Sequence, residues 1–243
     1  MQDMSPPRKN RSQQRSADKR SILRDHYLFG NLTAQQIESL SACIVTRSVK
    51  RGTNIYAKGD PGTNLCAIGA GTVKISAPSA DGKDAVFNVL GKGDIFGEIA
   101  LLDGNPRTAD ATAVTDCELY VIERRDFLPL IRHEPEIALK IIEILCSKLR
   151  RTTLQAEEVM FFDLPSRLAK ALMRLLDTAG MRERKVTITQ KDLGNLIGMS
   201  RESTNKQLRI WQAKKWVRLE RNAVVILAVD SLAALGELGA HGV

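Results

Sequence analysis

The chain has 243 residues, with 36 Lys/Arg against 28 Asp/Glu for a net charge of +8. Its 43% hydrophobic and 26% charged residues are ordinary for a water-soluble globular protein, and the length suits two small domains better than one. No apolar run reaches the roughly 20 residues of a membrane-spanning helix, and Cys43, Cys66, Cys117 and Cys146 form no Cys-x-x-Cys pair, which argues against zinc, iron–sulfur and dithiol chemistry.

The charge is unevenly placed. Residues 1–20 carry six Lys/Arg against two Asp/Glu, residues 21–163 carry sixteen against nineteen, and residues 164–243 carry fourteen against seven. A basic C-terminal third on a mildly acidic body is the footprint expected of a nucleic-acid-binding domain joined to a regulatory one. The scattered cysteines are expected to be small buried hydrophobes in a reducing cytoplasm. The charged, polar N-terminus does not read as a secretory signal.

In chain order, residues 1–20 are rich in Ser, Gln, Arg and Lys and read as a disordered basic tail. From Ser21 to about Thr46 the pattern is helical, anchored by Leu32, Ile37 and Leu40, with Thr33 and Gln36 spaced as a capping box. From Ser48 to Ile122 short alternating runs are split by Gly, Asp and Pro: Asn54–Ala57, Leu65–Ile68, Thr72–Ser76, Ala85–Leu90 and Glu118–Ile122. Asp81-Gly82 signals a hairpin, and the whole series predicts a β-barrel or jelly roll.

The run Phe96-Gly-Glu-Ile-Ala-Leu-Leu-Asp-Gly-Asn-Pro-Arg-Thr108 interrupts that series. Gly97 lets a ligand approach the backbone, and Ile99–Leu102 suits one helical turn whose first N–H groups attract an anion. Arg107 offers a planar fork for a phosphate and Thr108 a hydroxyl, while Glu98 suits a sugar hydroxyl. The set points to a nucleotide monophosphate bound without metal.

Helical patterning resumes near Arg124, with a helix start at Pro135-Glu136. Leu145, Leu149, Thr152, Ala156 and Val159 follow a 4-3-4-3 spacing, which predicts a self-pairing seam; packing of the same stripe on the barrel is the alternative. Asp163-Leu164-Pro165 reads as a hinge. A helix over Ser166–Ala179 follows. Thr189 or Gln190 then opens a short helix with Leu193 and Ile197 inward, Gly194 allows a close crossing, and Gly198 suits a turn. Ser200 caps a second helix burying Thr204, Leu208 and Trp211. This spacing predicts a helix-turn-helix that projects Arg201, Glu202 and Lys206 for reading bases. Val217–Leu219 and Val224–Leu227 predict a hairpin wing. No P-loop and no Ser/His/Asp arrangement supports an enzyme reading.

In this order, the phosphate cassette, long helix, Asp-Leu-Pro hinge and Ser-Arg-Glu helix resemble the Crp/Fnr family of transcription regulators, closest to its cyclic-AMP receptor branch. The resemblance covers roughly residues 25–230. It implies an α+β chain: a disordered basic tail (1–20), a cyclic-nucleotide-binding β-barrel domain (21–133), a dimerisation helix and hinge (134–163) and a winged helix-turn-helix domain (164–243). It assigns nucleotide binding to Gly97, Glu98, Ile99, Arg107, Thr108, Lys148, Thr152 and the partner subunit's copy of Thr153. It assigns DNA binding to Thr189, Gln190, Ser200, Arg201, Glu202, Ser203, Asn205 and Lys206. Lys206 stands where the family usually has a second arginine, which alters base reading there. The implied partners are a second copy, near-palindromic duplex DNA and RNA polymerase, the last through exposed loops such as Asp81–Asp84 and Met181–Lys185; no membrane is implied. The first 42 residues lack the cysteines of iron–sulfur members, and the isolated His26 and His133 do not suggest a haem ligand. Cyclic AMP is the expected effector. Cyclic GMP, which Thr108 suits, another ligand, and a nucleotide-binding subunit that does not act on DNA are the alternatives.

Overall fold

The computed structural model describes residues 33–78, 84–179 and 184–238. The tail over 1–20, the anchor Leu32, His26, the Asp81-Gly82 tip and loop residues 181–183 lie outside them. Helix α1 (Ala34–Cys43) starts at the expected box: Thr33 Oγ1 accepts from the Gln36 N–H, and Gln36 Oε1 accepts from the Thr33 N–H at 2.6 Å. The chain turns extended earlier than the helical pattern suggested. Ile44 has φ −79° and ψ 126°, and strand β1 (Val45–Val49) pairs with a late strand of the barrel.

Seven more strands complete two four-stranded antiparallel sheets: β2 (Asn54–Tyr56), β3 (Asn64–Ala70), β4 (Val73–Pro78), β5 (Asp84–Leu90), β6 (Ile95–Phe96), β7 (Asp110–Ala113) and β8 (Cys117–Glu123). Their orders are β1-β8-β3-β6 and β2-β7-β4-β5, the double-sheet arrangement of a jelly roll. Between the sheets, Ile68, Val73, Phe96, Ala111 and Leu119 are nearly inaccessible to solvent. One short helix, α2 (Glu98–Asp103), sits between β6 and β7 and carries the cassette.

Helix α3 (Arg124–His133) leads into α4 (Pro135–Phe161), 27 residues that extend about 40 Å. Ile137 and Ile141 bury against the barrel beside Leu65, Leu101 and Ile122, with Ile144 and Leu145 half-buried in the same cluster. Of the expected seam, Leu149, Ala156 and Val159 are exposed, whereas two positions depart from it. Leu145 faces the barrel and Thr152 the cavity described below; the outward stripe is Leu139, Ile142, Cys146, Leu149, Thr153, Ala156 and Met160, all exposed. Its spacing is still 3-4-3-4, one residue out of phase with the barrel-facing set. Cys146 is thus an exposed position, unlike buried Cys66 and Cys117, and Cys43 is intermediate.

After α4 the chain breaks at Phe162-Asp163, and Asp163 Oδ1 accepts from the Ser166 N–H at 2.9 Å. The second domain follows: α5 (Leu164–Ala179), β9 (Lys185–Thr187), α6 (Gln190–Leu196), α7 (Arg201–Ala213), β10 (Val217–Glu220), β11 (Ala223–Ile226) and α8 (Val229–Leu238). The three strands form one antiparallel sheet in the order β10-β11-β9. Leu168, Leu172, Leu193, Leu208, Trp211 and Ile226 form its core. Trp211 is 1% exposed, and truncating it to Ala would cost about 3–5 kcal/mol. Among the described residues no helix is long and apolar enough to cross a membrane.

Candidate nucleotide cavity and recognition helix

A cavity of about 300 Å³ opens between α2, the inner face of the β4–β5 hairpin and helix α4. Gly97 precedes α2 in the left-handed region (φ 83°), and a Cβ there would come within 2.5 Å of Arg107 Nη1. Glycine is therefore required twice over, by conformation and by space. Arg107 is 4% exposed. Its Nη1 donates to the Gly97 carbonyl (2.9 Å) and its Nη2 to Asn64 Oδ1 (2.8 Å), while its guanidinium stacks 4.2 Å from the Tyr56 ring centre. Its Nε is buried without a partner. The guanidinium is thus a fixed positive charge on the cavity wall, of the kind that suits an anionic acceptor.

Glu98 is 3% exposed and accepts from Lys148 Nζ at 2.8 Å; the same ammonium donates to the Ile95 carbonyl at 3.0 Å. A carboxylate this buried requires such a partner. The pair also pins α4 to the cassette. Thr108, Ile99 and Thr152 line the same cavity, so seven of the eight expected nucleotide residues meet around it. Thr153 does not: it is exposed on the outward stripe, and its hydroxyl donates to the Leu149 carbonyl. Burial pushes the Tyr56 phenol well above its ordinary range, partly offset by Arg107, and pushes the Cys66 thiol behind the cassette up to about 12.

Several cavity residues were not anticipated from sequence. Tyr56 and Asn64, which orient Arg107, lie more than forty residues before it with no local pattern linking them. Phe87 and Asn88 on β5, and Arg151 and Gln155 on α4, also line the walls. Arg151 had a readable signal, since it lies one turn beyond Lys148. Burial, then the nearby Arg174 charge, lowers its guanidinium pKa, and its Nε too has no partner.

In the second domain the predicted caps are in place. Thr189 Oγ1 accepts from the Asp192 N–H (3.0 Å), and Ser200 Oγ accepts from the Ser203 N–H (3.1 Å). A Cβ on Gly194 would meet the Met199 carbonyl at 2.9 Å, so α6 and α7 cross as closely as the glycine suggested. Helix α7 buries Thr204, Leu208 and Trp211 and leaves Arg201, Glu202 and Lys206 exposed, with Ser203 and Asn205 half-buried. Thr189 and Gln190 are half-buried at the start of α6. The face of α7 opposite its core is thus polar, and its Arg201 and Lys206 are free of any ion pair described in the structure. A base-reading helix needs such a face.

Comparison with known proteins agrees with both halves. Residues 46–134 match the cyclic nucleotide-binding domain family and residues 166–235 the Crp-like helix-turn-helix domain family. The chain is similar to the CRP-like cAMP-activated global transcriptional regulator of Mycobacterium tuberculosis (strain ATCC 25618 / H37Rv), with 33% identity over 211 residues, 85% of this chain and 94% of that protein. It is 31% identical over 199 residues to the cyclic AMP receptor protein of Thermus thermophilus, covering 82% of this chain and 91% of that one. Among solved structures, the c-di-GMP responsive global regulator CLP of Xanthomonas campestris superposes with a TM-score of 0.68 at 25% identity, over 80% of this chain and 99% of that one. A cyclic nucleotide-binding domain and a Crp-like helix-turn-helix domain in one chain, with similarity over 85% of it, place the protein in the Crp/Fnr family of DNA-binding transcription regulators.

Proposed function

We propose that the protein is a homodimeric regulator whose DNA binding is switched by a cyclic nucleotide, cyclic AMP first among them. The observation that carries the reading is the buried Arg107 guanidinium, held in place by the Gly97 carbonyl and Asn64 on the wall of a cavity that Thr108 and Glu98 also line. Arg107 and Thr108 would hold the cyclic phosphate. Glu98, shared with Lys148, would accept from the ribose hydroxyl. The base would lie toward Thr152, and Thr153 of the second copy would close over it. Cyclic GMP is the second reading, favoured by the Thr108 hydroxyl and by donor-only Arg151, which matches guanine O6 and N7 better than the adenine amino group. The relatives' names, cyclic AMP receptor and cAMP-activated regulator, support cyclic AMP.

The outward stripe on α4 supports the dimer. Leu149 is 68% and Met160 74% exposed, and burying each such side chain is worth about 1.5–3 kcal/mol. The two recognition helices would then enter successive major grooves about 34 Å apart on a near-palindromic site. On this reading residues 21–133 form the sensor, 134–163 the dimer helix and hinge, and 164–243 the DNA-binding unit. RNA polymerase is the natural further partner of such a regulator.

Calorimetric titration of the full chain with cyclic AMP and, separately, cyclic GMP tests the sensor. Tight saturable binding of one names the effector, and a DNA mobility shift with and without it tests the switch. Binding of neither refutes the cassette assignment. Sedimentation of the wild type and Leu149→Glu tests the dimer: the wild type should run as a dimer and the variant as a monomer.

A further inference from the structure

Strand β5 carries one residue more than its partner. Ile75 pairs with Asn88, but the next β4 residue, Ser76, pairs with Val86, so Phe87 is a bulge with no residue opposite. In a regular strand Val86 and Val89, three apart, would point to opposite faces. The bulge resets the pleat and brings both to one side. Both are buried in a single apolar cluster with Leu193 and Ile197 of the DNA-binding domain. Lys74, opposite Val89 in register, projects on the same side and ends 2.8 Å from Asp192 Oδ1, with the two side chains 15% and 16% exposed. The inner side of the hairpin presents Ile75, Asn88 and Leu90 to the nucleotide cavity, and bulged Phe87 joins them.

The clasp reaches the recognition helix in two rigid steps. Asp192 is held by Thr189, whose Oγ1 donates to its second carboxylate oxygen at 2.6 Å and accepts from its N–H. Helix α6, which carries Asp192, is locked to α7 through the Gly194 crossing. With Lys74 engaged, Arg201, Glu202 and Lys206 remain exposed, so the docked state is able to meet DNA. A second, half-buried pair, Glu158 with Arg174 at 2.6 Å, ties the end of α4 to α5 beside it.

We propose that Lys74 is a positioning residue for DNA recognition: through Asp192 it fixes the helix-turn-helix against the outer face of the hairpin whose inner face lines the nucleotide cavity. Nucleotide bound on the inner face orders the hairpin, and the clasp passes that order to α6 and α7. The ligand-dependent half of this inference rests on the function proposed above. The docking half does not.

The test uses full-length wild type, Lys74→Gln, Asp192→Asn and Lys74→Arg. Amide hydrogen exchange without nucleotide reads docking directly. Exchange over 185–197 should quicken in Lys74→Gln and Asp192→Asn and stay near wild type in Lys74→Arg, which retains the charge. DNA affinity with and without cyclic AMP reads coupling. The gain in affinity on adding nucleotide should shrink about fivefold or more in the two neutral variants, while nucleotide-free DNA binding stays within about twofold. A wild type that shows no nucleotide-dependent DNA binding refutes the effector, and the exchange result still decides the clasp. Unchanged exchange in both neutral variants overturns the inference. So does an equal loss of DNA affinity with and without nucleotide, the mark of a lysine that only touches DNA or only supports the fold.

Discussion

The two functional regions treat the same residue type in opposite ways. Arg107 is buried, stacked on Tyr56 and held by two fixed acceptors, whereas Arg201 stands in solvent at the first turn of α7. A small anion offers few atoms, so its site must fix every donor beforehand and exclude water. Duplex DNA brings a long charged surface of its own, so its reader can leave donors free and let the groove order them. Burial at one site and exposure at the other are two answers to how much of the geometry the ligand supplies.

Replacing the buried arginine should therefore have the larger effect. On the proposed reading Arg107→Ala would remove charge-assisted contacts to the phosphate, at about 1.5–3 kcal/mol each, and should weaken nucleotide binding by roughly a hundredfold or more in calorimetry. It also leaves the Gly97 carbonyl and Asn64 without their donor, so a modest drop in melting temperature should accompany it. Arg201→Ala should cost about 1–3 kcal/mol in DNA affinity and relax selectivity at one base position, with nucleotide affinity and melting temperature unmoved. If Arg201→Ala also destabilises the fold, the contrast between the regions fails. Thr108→Val keeps the shape but removes one hydroxyl and should weaken nucleotide binding by about 0.5–1.5 kcal/mol, or roughly twofold to thirteenfold. The smallest effect separates inside from outside by reactivity alone. At pH 8 a maleimide should label exposed Cys146 and spare Cys66, which is buried and whose thiol stays protonated until about pH 12. Assembly of the proposed dimer should slow labelling of Cys146.

Much of both regions was legible in the sequence because their chemistry is local. Gly97, Glu98, Arg107 and Thr108 fall within twelve residues, and the caps Thr189 and Ser200 act within one turn of themselves. What escaped depends on distant partners. Asn64 and Tyr56 reach Arg107 only once β2 and β3 are folded beside the cassette. Strand β7 reads Asp-Ala-Thr-Ala, too small and polar to announce itself as a strand, and is fixed by pairing with β2 and β4. Helix α4 misled by richness: it carries apolar stripes for two different surfaces, offset by one residue, and periodicity alone cannot say which faces the barrel.

The unpaired residue in β5 has an evolutionary corollary. Because Phe87 is supernumerary, its side chain can change, or the residue be lost altogether, without shifting Val86 relative to Val89: removed, the two would stand two apart in an ordinary pleat and still share a side. The hairpin therefore separates two kinds of heritable variation. A change at position 87 alters the cavity wall, while the register that seats the DNA-binding domain stays as it is.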